Sequence, residues 1–179
     1  MEAMRTVFYG LLAFIMALGL WAKDQAVAKT MPLPENYREW VWLSSGLGMS
    51  YSAGPAADSP SFDNVFASPD AYQSFKTTGE WPAQTILMLE VRNAGSNASI
   101  NQHGHFQTAR TDLEAHVKDA AGRWAFYSFG NGAKTGTLIP KQASCYSCHE
   151  QHAAVDTTFV QFYPTLLEIA KEKGKVSRQ

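Results

Sequence analysis

Two cysteines are all that this 179-residue chain contains, and they stand three apart with a histidine directly behind the second: Cys145-Tyr146-Ser147-Cys148-His149. On a helical turn, positions i, i+3 and i+4 share one face, so two thiols and an imidazole point the same way. Two such thiols reach the two vinyl groups on one porphyrin edge, and the neighbouring imidazole turns over the ring to bind iron. The pattern is that of c-type haem attachment. His149 is then the proximal ligand through Nε2, with its Nδ1–H seeking an acceptor. Other chemistries use the same residue types. Structural zinc takes four ligands, which His103, His105, His116 or His152 would have to complete. A thioredoxin-type dithiol sits in a βαβ unit, whereas this motif follows a glycine-rich hairpin exit and precedes only a helix. A disulfide leaves His149 without a role. Covalently attached haem c accounts for all three residues.

What lies across the iron decides function. Small electron-transfer cytochromes carry the motif near the N-terminus and a Met ligand well downstream, but no Met follows Cys148 here. Upstream candidates are Met88, His103, His105 and His116. Met88 suits a strand core, and the histidines fall in a polar loop or on the solvent side of a strand. An iron open on its distal side is the expectation.

The elements that must position this motif follow from periodicity and punctuation. Asn36 to Gly46 places Tyr37, Trp40, Val41 and Leu43 on one helical face. "SPDAYQSFKTTG" reads as a short helix with Ser68 as N-cap, Pro69 at its first position and Gly79 as terminator. Between them, residues 64–68 read as a strand. Residues 84–92 predict a strand whose Leu87, Leu89 and Val91 face is buried. Residues 93–108 form a polar loop. "TDLEAHVKD" alternates Leu113, Ala115 and Val117 inward with Glu114, His116 and Lys118 outward, and "RWAFYSF" returns as a hairpin. Asp156 is placed as the cap of a C-terminal helix that Pro164 kinks or restarts. The fold class is α+β: an antiparallel β-sheet flanked by a few helices, with a single c-type haem near the C-terminus.

The N-terminus reads as an export signal over residues 1–28. Arg5 precedes an apolar run from Val7 to Trp21, and Ala26-Val27-Ala28 supplies the small-x-small site. Residues 29–179 then form one haem domain in the periplasm. The formal net charge of −1 offers no basic field for nucleic acid.

The chain resembles the cytochrome P460 family, which includes the β-sheet cytochromes c′ (cytochrome c′-β). The resemblance rests on "PENYREWV", "ASPDAYQSFKTTGEWP", "TILMLE", "LEAHVKDAAGRWAFYSF", "CYSCH" and "DTTFVQFYP". It implies an antiparallel sheet, one covalent haem, five-coordinate iron and a homodimer. P460 enzymes carry a porphyrin-cross-linked lysine in a run like V-x-V-K-E, and Leu89 stands at that position. The segment from Asn131 to Ser144 also lacks a carboxylate to accept a proton. Both departures turn the resemblance towards cytochrome c′-β, whose distal face is apolar and aromatic. Phe66, Phe126, Tyr127 and Phe129, with Leu89, are the residues expected there. A pocket with few donors leaves polar or anionic ligands uncompensated, so the expected ligands are the diatomic gases NO and CO. The alternatives are a P460-type oxidoreductase acting on hydroxylamine or a related nitrogen compound, and an electron carrier with an unknown redox partner.

Overall fold

The computed structural model describes residues 27–50, 54 and 59–177. Of the expected export signal, residues 1–26 lie outside this range. Seven antiparallel strands form one sheet: β1 (Thr30–Pro32), β2 (Val41–Leu47), β3 (Ser61–Ala67), β4 (Ile86–Gly95), β5 (Phe106–Lys118), β6 (Trp124–Ser128) and β7 (Thr135–Leu138). Their order across the sheet is β1-β7-β6-β5-β4-β3-β2. Among the described residues three α-helices accompany the sheet: α1 (Pro69–Thr78), α2 (Ser144–His152) and α3 (Pro164–Glu172). This is the α+β arrangement expected.

Strand alternation divides the sheet into two faces. Register aligns Ala67, Leu87, His116 and Phe126 across one face, and Val65, Leu89, Glu114 and Ser128 one row further along. On this face Ala67, Leu87 and Trp124 pack with Phe75 of α1 and Leu166 and Ala170 of α3. The opposite face buries Met88, Leu113, Ala115, Tyr127 and Phe129.

α1 forms as its ends dictate. Pro69 opens it, and Gly79 closes it at φ +77, donating its N–H to the Phe75 carbonyl. Ser68 takes the N-cap position, though its side chain makes no capping bond.

Several expectations are corrected. The helix expected over 36–46 is a single 3-10 turn, Tyr37–Glu39, followed by β2. Tyr37 lies in the cluster on one face and Leu43 in that on the other, so the two do not share a helical stripe; strand pairing with β3 overrides the local period. The expected loop over 93–108 shrinks, because β4 and β5 run on as a polar ladder to Gly95 and Phe106. On β4 the deepest residues are Met88 and Glu90, at 0 and 1 % exposure, rather than the Leu89 and Val91 face. Glu90 is buried because Tyr37, Arg38 and Arg92 all hold its carboxylate. Asp156 caps no helix. It sits at φ +45 in a turn and pairs with Lys118 at 2.6 Å, and the C-terminal helix begins at Pro164.

Candidate functional site

Cys145, Cys148 and His149 lie on α2, half-buried along one side of it, while Tyr146 is buried. Tyr146 pins the helix to the sheet: its hydroxyl donates to the Ile139 carbonyl and accepts from the Phe126 N–H, both at 3.1 Å. Its ring meets Phe126 edge-on at 4.8 Å. The middle of the motif thus anchors the flanking residues over β6.

The His149 ring is boxed by aromatic neighbours, with Phe159 at 4.3 Å, Phe126 at 4.7 Å and His116 at 5.0 Å between centroids. Its Nδ1 lies 2.7 Å from the Thr157 carbonyl oxygen. A carbonyl only accepts, so Nδ1 carries the proton and Nε2 keeps its lone pair. Burial lowers the His149 pKa, against the opposing effect of the Thr157 bond, which favours the neutral imidazole a metal needs. The carbonyl is aimed by an unusual turn. Asp156 and Thr157 both have positive φ, +45 and +58, and the Thr157 hydroxyl is buried without a partner. Thr158 closes the turn through its hydroxyl to the Val155 carbonyl at 2.6 Å and accepts from the Trp81 indole at 2.8 Å.

Both cysteines and His149 border a cavity of about 610 Å³, of the size that holds prosthetic groups. Leu89, Val65, Leu87 and Phe126 line it from the sheet, and Phe159, Phe162 and Tyr163 from the C-terminal segment. The residues fit a tethered haem: two thiols and an oriented imidazole share one rim of an enclosure of the right scale. Among the described residues, no group of three or more His, Cys, Asp or Glu gathers to hold a metal ion, which leaves the zinc reading without ligands.

Of the residues expected around the haem, the structure brings Cys145, Cys148, His149, Leu89 and Phe126 to one cavity, but Phe126, expected on the distal face, packs against the His149 ring at 4.7 Å. It does not bring Phe66, Phe129 or Tyr127 there. Phe66 stacks edge-on against Tyr37 at 6.0 Å, Phe129 and Tyr127 are core residues, and all three project from the opposite face of the sheet. Phe66 and Tyr127 stand one residue out of phase with Val65 and Phe126 in their strands, and Phe129 lies just past the end of β6. His103 and His105 are exposed on the loop between β4 and β5. Met88 borders the cavity but is fully buried in the core of the opposite face.

His116 is the larger correction. Expected to face solvent, it is 8 % exposed, stacked on Phe126 at 4.0 Å, and its Nε2 has no hydrogen-bond partner. Burial and the adjacent His149 hold its pKa well below the ordinary value. The polar face of β5 is covered by the C-terminal segment, which the alternation alone could not reveal.

Sequence reasoning missed Thr157, Phe159, Asp63, Glu114 and Met49. Met49 reaches the cavity from beyond β2, and a Cβ on Gly46 would crowd its thioether, so a side chain at that position would require Met49 to shift. Asp63 and Glu114 contribute carboxyls to the cavity wall. Burial raises the pKa of both, and the Asp112 charge raises Glu114 further. Their places on the inner face, at alternate positions with Val65 and His116, are the signal that could have found them.

Comparison with curated proteins returns no match. The sequence model of one family, Cytochrome P460, matches residues 34–160, which span β2 to β7, the cysteine motif and the turn at Thr157. A match over that much of the chain, converging on the same cavity, places this haem-binding cytochrome in the cytochrome P460 family.

Proposed function

We propose that this chain is an exported, mono-haem protein of the cytochrome c′-β kind that captures NO or CO at a five-coordinate iron. Cys145 and Cys148 would hold the haem by thioethers and His149 would ligate iron through Nε2. The periplasm would be its compartment and a homodimer its working form. The observation that carries the reading is the His149–Thr157 bond, which leaves Nε2 as the basic nitrogen beside a mainly hydrocarbon cavity.

The haem would supply the ligand-binding metal. The chain's own part would be to orient the imidazole and to line the ligand cavity with the hydrocarbon of Leu89, Val65 and Phe162. His116 meets the His149 ring edge-on at 5.0 Å between centroids and would support the imidazole that holds the iron. Leu89 argues against hydroxylamine oxidation, because an alkyl side chain has no nitrogen with which to form a porphyrin cross-link.

An optical spectrum of the reduced protein, with and without CO, tests the proposal. A high-spin ferrous haem that converts fully with CO is the expected result. A low-spin spectrum indifferent to CO would make Met49 a sixth ligand and the protein an electron carrier. A strongly red-shifted Soret band would restore the cross-linked oxidoreductase.

A further inference from the structure

Glu114 and Asp63 stand in a cavity wall where only apolar side chains were expected. Glu114 is the cross-strand partner of Leu89, one row from His116 and Phe126. Asp63 is a row further, opposite Val91. Two strand residues separate successive rows, about 7 Å. Among the described residues neither carboxyl meets a hydrogen-bond donor or a cation. The titratable groups that share this cavity with Glu114 are Asp63 on β3, His116 on β5, Cys145, Cys148 and His149 on α2 and Tyr163 of the C-terminal segment, and the Asp112 charge acts on it along β5. Among the described residues no lysine or arginine lines the cavity. The same wall holds a third polar group without a partner among the described residues, the buried Nε2 of His116. Its surroundings are therefore acidic on one side and unpartnered on the other.

We propose that Glu114 and Asp63 set the charge selectivity of this cavity, turning away small anions while neutral diatomic ligands enter freely. An ionised carboxylate repels an anion more strongly beside a mainly hydrocarbon wall than in open water, because screening is weaker there. A protonated one donates a hydrogen bond to it instead. Exclusion therefore strengthens as pH rises, while the entry of an uncharged ligand does not change. The inference rests on the haem reading above and specifies which ligands that haem accepts.

The test uses the haem-loaded protein and its E114Q, D63N and double variants. The ferric forms are titrated with azide from pH 5 to pH 8, and the ferrous forms with CO, both followed optically. Azide affinity is expected to rise in each variant by about fivefold or more at pH 8, the effect of one charge at contact even with strong screening. The gain should shrink towards pH 5, and CO affinity should be the same throughout. Either single variant suffices if the other fails to fold. Azide affinities equal to those of the unmodified protein at every pH, with CO binding intact, would overturn the inference and leave the haem reading standing. Absence of any CO-induced change would instead remove that reading and this inference with it.

Discussion

Thr157 contributes to the site through its backbone rather than its side chain. A β-branched residue at φ +58 is strained, and its hydroxyl is buried without a partner, yet both costs accompany a carbonyl aimed at Nδ1 of His149. Strain of this kind amounts to about 1–3 kcal/mol and gathers at functional positions. Thr157→Gly should therefore raise stability by about 1 kcal/mol in urea denaturation, after allowing for glycine's entropy. A loss of stability would show that the turn is not strained. His149→Ala should leave the haem tethered but change the ferrous ligand spectra, and unchanged spectra would show the iron to be held elsewhere. Cys145, Cys148 and His149 were legible because a three-residue spacing and one neighbour encode shared direction. Thr157 was not, because a backbone carbonyl has no residue type.

Elements were legible where their ends carry chemistry. α1 follows from Pro69 and Gly79, and the β5–β6 hairpin from clean alternation about Asp119–Arg123. β2 was not legible, because Tyr37, Val41 and Leu43 match a helical period as readily as a strand, and only pairing with β3 decides. Glu90 ties the 3-10 turn before β2 to the sheet: Tyr37, Arg38 and Arg92 converge on a carboxylate whose side chain is 2 % exposed. Burial pushes its pKa up, but the bonds from Arg92 and Tyr37 and the Arg38 charge outweigh this and hold it below the ordinary value. Glu90→Ala should cost about 3 kcal/mol, at the low end for breaking a buried pair because Arg38 is largely exposed. A change below about 0.5 kcal/mol in chemical denaturation would show that the cluster is not structural.

At the scale of the whole molecule, two faces were predicted but not which one is covered. The outward side of β5 was expected to meet water, whereas the C-terminal segment folds over it and encloses Glu114 and His116. That enclosure has a pH signature. Asp63 and Glu114 titrate above their ordinary values of 3.8 and 4.5. The folded state therefore binds more protons than the unfolded one, and stability is lost as pH rises from those values through the folded-state ones. His116 acts in the opposite sense, because its folded pKa lies below 6.5; its contribution is lost as pH falls below that value. The D63N/E114Q apoprotein should be more stable than the unmodified one at pH 8, and the difference should vanish below about pH 3, where both carboxyls are neutral in the folded and the unfolded state. Equal denaturation midpoints at pH 8 would contradict the burial of these groups. The central claim is covalent haem on Cys145 and Cys148 with His149 at the iron, and intact mass spectrometry tests it most directly. Protein matured in a host that attaches c-type haem should gain the mass of one haem, lost in the C145A/C148A variant. A bare polypeptide mass from that host would contradict the account.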